Sequence, residues 1–196
     1  MVTTKKTVTR YGRKRYARGY RRYRSLTNQY FRARMEGVYT IAFPQNTGDP
    51  VFAEKNSSYI SFYEVFRTSQ FGGYLENMFG YYKITGVAME VIPGPNNFQG
   101  TSTIGAKTLV GFKFGEEGAM NYPSLAADNN AILLGVLTKA RKYVSTLGAT
   151  GWFPTTGVSH NVGCFAVVSS ITGTLTNQPT WTCRFSIYVL YKRCMV

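Results

Sequence analysis

Twelve cations fall between Lys5 and Arg34 with no acid among them until Glu36: Lys5, Lys6, Arg10, Arg13, Lys14, Arg15, Arg18, Arg21, Arg22, Arg24, Arg32 and Arg34. Nine of the twelve are arginine, and a planar guanidinium can give two parallel hydrogen bonds to a phosphate. The interleaved tyrosines Tyr11, Tyr16, Tyr20 and Tyr23, with Tyr30 beyond them, add rings that can stack on unpaired bases while the arginines hold the backbone. The chemistry predicted is the binding of single-stranded nucleic acid.

The charge is local. Of the formal +14, the arm accounts for +12, and the body from Met35 onward, with eleven Lys and Arg against nine Asp and Glu, for +2. A near-neutral body can pack a core and meet copies of itself, whereas thirty residues at +12 repel one another and are expected to stay disordered until a polyanion neutralises them. Tyr16, Tyr20 and Tyr23 fall on one helical face. Gly12, Gly19 and the like-charge pairs of Arg18 with Arg21 and Arg22 oppose a helix in the free arm.

The runs Gly12-Arg13-Lys14-Arg15 and Arg21-Arg22-Tyr23-Arg24 also suit nuclear import signals, with Arg13, Lys14, Arg15, Arg21, Arg22 and Arg24 read by a host import receptor. That use is compatible with polyanion binding. A membrane-inserting arm is disfavoured by the lack of Leu, Ile, Trp or Phe between Thr9 and Ser25. Neither a secretory signal nor a membrane-spanning segment is expected from the apolar pattern.

Catalytic chemistry has few candidates. His160 is the only histidine, and Cys164, Cys183 and Cys194 match no zinc spacing. No metal and no cofactor is implied. Neither a nucleophile elbow, a Walker A loop nor a glycine-rich dinucleotide turn occurs, so no enzyme is expected. Cys164 and Cys183 lie in apolar runs and read as buried thiols of a protein made in a reducing compartment. Glu116-Glu117, flanked by glycines, read as a solvated turn. Lys139, Arg141, Lys142, Lys192 and Arg193 read as a solvated face or as an extension of a nucleic-acid or glycan-binding surface.

The elements behind these residues are mostly strands. Gly37–Phe43, Ser58–Arg67, Tyr81–Ile92, Lys107–Phe114, Asn161–Thr172 and Trp181–Lys192 carry β-branched and aromatic residues, several in period-2 alternation. The last places Phe185, Ile187, Val189 and Tyr191 against Ser186, Tyr188, Leu190 and Lys192. Leu75, Met78, Phe79 and Tyr82 fall at helical spacing, but Gly72, Gly73 and Gly80 limit that element to a couple of turns. Residues 119–130 read as loop, and Leu133–Ser145 as strand or helix. Trp152 and Phe153 read as a core plug, with contact to a neighbouring subunit as the alternative. The class is all-β, an antiparallel sandwich or barrel, with residues 1–34 as arm and 35–196 as one folded domain.

The Arg/Tyr-rich start from Tyr11 to Arg24, the passage Phe79-Gly80-Tyr81-Tyr82-Lys83-Ile84-Thr85-Gly86-Val87-Ala88-Met89-Glu90-Val91-Ile92-Pro93 and the closing strand Phe185–Arg193 resemble the capsid proteins of small circular Rep-encoding single-stranded DNA viruses, the circoviruses and their relatives. That resemblance implies a single eight-stranded antiparallel jelly roll and a T=1 icosahedral homo-oligomer. It also implies an inward-turned arm that holds the single-stranded DNA genome, a place in the virion and in the host nucleus during assembly, and a host surface receptor or glycan as a further partner. The rival is a single-stranded nucleic-acid-binding module of OB-like or ribosomal type with a basic tail. A ribosomal protein usually spreads its charge over its body, and this chain does not. A movement or shuttle protein is a third reading, separated by whether particles form.

Overall fold

Alternation along the closing strand decides the architecture. In the computed structural model, which describes residues 30–44, 48–69, 72–95, 97, 107–135, 138–145, 151–155, 162–171 and 179–192, Phe185, Ile187, Val189 and Tyr191 are buried to 2% exposure or less, while Arg184 points to solvent. Successive strand side chains point to opposite faces, so this pattern commits one face to a core and the other to water.

The strand in question is β10 (Trp181–Lys192). It pairs antiparallel with β1 (Tyr30–Ala42) on one side and β4 (Tyr81–Pro93) on the other, with a bulge between Tyr188 and Val189. The bulge lets Ile84 stay opposite Val189 on the core face while Lys83 and Gly86 stay on the outer face. The sheet is completed by β2 (Val51–Phe52) beside β1, β7 (Ala140–Ser145) beside β4, and β8 (Phe153–Pro154), which pairs with Tyr81 and Tyr82 of β4.

The second sheet runs β3 (Tyr59–Ser61), β9 (Gly163–Ser169), β5 (Thr108–Phe114), β6 (Ile132–Leu133). The pairs β1 with β10, β3 with β9, β4 with β7 and β5 with β6 are those of a ribbon folded back on itself and wrapped into two sheets, which is a jelly roll. Its eight strands match the number that the resemblance implies, and the two-residue β2 and β8 are added to one sheet. An OB-like module, with its five-stranded barrel, is a different topology, so the OB-like form of the rival reading is corrected.

The two inner faces meet in one aromatic-rich core. Phe165 of β9 stacks on Phe185 of β10, and Phe52, Phe62, Phe112 and Trp181 fill the space around them. The Trp181 indole N–H donates to the Gly135 carbonyl at 2.8 Å, so its single polar group is satisfied inside the core. Each such side chain contributes roughly 1.5–3 kcal/mol by leaving water.

Several sequence-based expectations are corrected. The strand expected over Ser58–Arg67 stops at Ser61, and Phe62–Thr68 is a helix, α1. The Ser61 hydroxyl accepts a hydrogen bond from the Glu64 amide at 3.0 Å, and Phe62, Val65 and Phe66, at i, i+3 and i+4, are buried. Capping and helical spacing outweigh the apparent alternation.

Helix α2 (Gly72–Met78) buries Leu75 but leaves Met78 exposed, and Tyr82 belongs to β4, so the helical stripe expected over Leu75–Tyr82 ends before Gly80. A five-residue helix, α3 (Tyr122–Ala126), lies in the stretch read as loop, with the Asn121 side chain capping it. Leu133–Ser145 resolves into the short β6 and the longer β7. Cys164 and Cys183 are buried free thiols, as expected.

Glu116 and Glu117 divide the expectation made for them. Glu116 pairs with Lys113, whereas Glu117 buries one carboxylate oxygen with no hydrogen-bond partner among the described residues. Burial pushes its carboxyl up, a hydrogen bond from the Val162 backbone opposes this, and Glu117 is thus not simply solvated. The aromatic pair also divides: Phe153 packs on Tyr82 in the core, while Trp152 stays 40% exposed and stacks on Tyr30.

Candidate nucleic-acid interface

Strand β1 begins at Tyr30, inside the segment assigned to the arm, so the boundary expected between residues 34 and 35 falls within a paired strand. Arg32 and Arg34 are opposite Leu190 and Tyr188 of β10, on the outer face. The other ten arm cations, Lys5, Lys6, Arg10, Arg13, Lys14, Arg15, Arg18, Arg21, Arg22 and Arg24, lie outside the described residues, as do Tyr11, Tyr16, Tyr20, Tyr23, His160, Arg193 and Cys194.

The outer face that Arg32 and Arg34 join is strongly basic. Alternation and register also place Lys83 of β4, Arg141 of β7, and Arg184 and Lys192 of β10 there, and Lys139 reaches it from just ahead of β7. Glu36 and Glu90 are the acids of this face among the described residues. Lys142 falls on the opposite side of β7, so the expected cluster Lys139, Arg141 and Lys142 is split by the pleat. Lys83, Arg184, Tyr143 and Tyr188 are missed by the sequence reading, because only strand pairing brings residues so distant in sequence to one face.

Two acids tie down some of this charge. The Arg34 guanidinium pairs with Glu36, donates to the Ser186 hydroxyl at 3.2 Å, and lies 5.8 Å from the centre of the Tyr188 ring. Glu90 is held by Lys139 at 2.6 Å and by Arg184 at 3.2 Å. The hydrogen bond from Lys139 holds the Glu90 carboxyl below its ordinary range, partial burial opposes this, and the charges of Lys139, Arg184 and Arg141 reinforce it. Arg32, Lys83, Arg141 and Lys192 have no ion-pair partner among the described residues.

Two tyrosines stand among these cations. Tyr143 and Tyr188 meet edge to face with ring centroids 5.5 Å apart. The Tyr143 ring lies across Gly86, where an added Cβ would come within 2.8 Å of its hydroxyl oxygen, so the glycine creates the seat for the ring.

The outer face of the second sheet is unlike this one. Leu109 and Val168 are covered by Leu125 of α3 together with Met120, Tyr122 and Ala131. A Cβ on Gly111 would come within 2.8 Å of Leu125, so that glycine lets the crossing segment lie close to the sheet. Among the described residues the basic face carries no such cover, and Tyr143 on it is 55% exposed.

No family model matches the chain, and no curated protein matches it in sequence. Solved structures do match its fold. A mud crab tombus-like virus structure aligns with a TM-score of 0.55 and 10% identity over 84% of this chain and 90% of that one. The 60-mer BFDV capsid protein aligns at 0.50 and 14% over 84% and 94%. The Macrobrachium rosenbergii nodavirus structure aligns at 0.55 and 12% over 98% of this chain and 60% of that one. Together with the strand order, these matches define the class of fold, the jelly roll found in viral shells.

Proposed function

We propose that this chain is a capsid protein, a non-catalytic subunit that closes into a T=1 icosahedral shell of a small virion. In this reading it packages circular single-stranded DNA through the basic segment ahead of β1. The observation that carries the reading is the division of charge on this fold: ten cations and no acid ahead of β1, against thirteen Lys and Arg and nine Asp and Glu from Tyr30 onward, so +10 against +4, on a jelly roll whose neighbours include a 60-mer viral capsid protein.

Arm and body thereby take separate tasks. A near-neutral jelly roll can approach its own copies without strong repulsion, and closed symmetric packing would gather all the arms on one side of the wall. Charge so confined needs a polyanion of matching length, which a single-stranded genome supplies. The runs at Arg13–Arg15 and Arg21–Arg24 would also direct the free subunit into the host nucleus before assembly.

Sedimentation and negative-stain microscopy of the purified chain at low salt, with circular single-stranded DNA, test this. Closed particles of one size that protect the DNA from nuclease are expected. Monomers or small oligomers across a range of pH and salt would overturn the shell and leave a tailed single-strand-binding protein.

A further inference from the structure

The basic outer sheet face holds two adjoining hollows, built on paired strands and each edged by one of the last two arginines of the cationic run. One, of about 320 Å³, is walled by Tyr143 and Tyr188 and edged by Arg32. The other, of about 160 Å³, is edged by Arg34, Arg141 and Arg184. We propose that this pair of hollows is a nucleotide-binding step on the folded body: an unpaired base sits against Tyr143 and Tyr188, and the adjoining phosphate sits among Arg34, Arg141 and Arg184. The inference rests on the reading that the chain holds single-stranded nucleic acid, and it adds a site beyond the N-terminal segment.

The chemistry of the two hollows differs in the required sense. The first has aromatic and aliphatic walls with one guanidinium at its rim, the arrangement that stacks a base irrespective of its identity. The second is polar, and Glu90 on its lining is already matched by Lys139 and Arg184, so Arg141 is left to meet an incoming anion. Ser186 and Tyr188 occupy successive outward positions on β10, about 6.6 Å apart. One nucleotide can therefore reach both hollows.

Continuity favours nucleic acid over an anionic glycan. The polycation enters the sheet at Tyr30, and its last two arginines, Arg32 and Arg34, are themselves edges of the two hollows. A strand gripped by the segment ahead of Tyr30 thus passes directly onto this face. The adjacent Tyr143 and Tyr188 rings are large amphipathic surfaces that a base can cover and a sulfated sugar cannot stack on equally well.

The test uses the full chain and a fluorescent oligothymidylate, with affinity measured by anisotropy from 50 to 200 mM salt. The triple variant Arg34→Gln, Arg141→Gln, Arg184→Gln is expected to flatten the slope of log affinity against log salt by about 0.7 for each phosphate no longer neutralised. Tyr188→Leu is expected to weaken binding about tenfold with the slope unchanged. Lys113→Gln, on the other sheet, is expected to change neither. Photo-crosslinking of the unaltered chain with 4-thiothymidine oligomers covers the case in which a variant misfolds, and it is expected to label peptides containing Tyr143 or Tyr188. Steep, unchanged binding by the sheet variants, or crosslinks confined to residues 1–29, overturns the sheet site and leaves the packaging reading standing. Absence of any binding by the unaltered chain overturns both. Loss of heparin-fragment binding in the triple variant with oligothymidylate binding intact overturns the nucleotide step in favour of a glycan surface.

Discussion

Phe165 of β9 and Phe185 of β10 stack across the gap between the two sheets, ring centroids 3.9 Å apart and planes 3° from parallel. Phe62, Phe112 and Phe52 pack edge-on to one or other of them, so this pair joins the two halves of the jelly roll into one core. Both rings are fully buried. Phe185→Ala is expected to destabilise the fold by about 3–5 kcal/mol, because neighbours in a close-packed aromatic cluster refill a ring-sized cavity poorly. Urea unfolding measures it. A loss below about 1 kcal/mol, far under the range for such a truncation, would mean that the sheets are held together elsewhere.

The α1 cap carries a second expectation. Ser61→Ala removes the acceptor of the Glu64 amide bond and should cost about 1 kcal/mol, the usual effect of losing such a cap. Ser61→Asp should retain stability, since aspartate caps equally well. Equal losses in both variants would show that the hydroxyl acts through some other interaction.

That cap also shows what the sequence discloses and what it hides. Ser61-Phe62-Tyr63-Glu64 is a serine followed three residues later by glutamate, a helix-start signature visible in the sequence, yet Ile60, Phe62 and Phe66 at even positions imitate a strand. Trp181–Lys192 is legible throughout because its alternation is unbroken and both its neighbours are long strands. The limit of the arm is not legible. Charge composition runs on unbroken through Arg34, but Tyr30–Ala42 pairs with β10 because Met35, Tyr39 and Ile41 supply an inward apolar face while Arg32 and Arg34 point out. The basic sheet face is hidden for a different reason. Arg34, Lys83, Arg141 and Arg184 are far apart in the chain and meet only through strand register.

Glu90 gives a pH dependence with a defined sign. Its carboxyl is held below the ordinary value of 4.5, first by the Lys139 hydrogen bond and further by the neighbouring cations. A depressed carboxylate contributes stability that is present above the unfolded-state value and is lost as pH falls through the folded one. Glu90→Gln should therefore unfold at a lower temperature than the parent at neutral pH, and the two melting curves should converge as pH falls below about 4.5. A gap that stays constant down to acid pH would assign the effect to packing. The same variant releases Lys139 and Arg184, so it should bind oligothymidylate more tightly at neutral pH.

The buried thiols should be inert. Burial raises the thiols of both Cys164 and Cys183, and both side chains are at 0% exposure. Only the thiolate reacts, so alkylation of the native chain followed by peptide mapping should leave Cys164 and Cys183 unlabelled, with both labelled in urea. Rapid native labelling of Cys183 would mean that β10 opens, since this residue lies between Tyr39 of β1 and Val91 of β4 in the register.

Limited trypsin digestion locates the true start of the folded body. Composition places a boundary after Arg34, whereas β1 begins at Tyr30 and its backbone is paired with β10 from Tyr30 onward. A protease needs several residues of extended, unpaired chain in its cleft, so the bonds after Arg32 and Arg34 are accessible only when the end of β1 peels from β10. Peeling must break the stacking of Tyr30 on Trp152 and of Phe31 on Phe79, which clamp this end of the strand at 5.8 and 5.6 Å between ring centroids. Cleavage after Arg10 to Arg24 should thus come first, and the resistant fragment should begin at Ser25 rather than at Ala33 or Met35. Trp152→Ala removes one of the two clamps and should bring forward the cuts after Arg32 and Arg34 while leaving the earlier ones unchanged. Early cleavage after Arg34 in the unaltered chain would return the boundary to the position that charge alone suggests, and would make Arg32 and Arg34 members of the arm in solution.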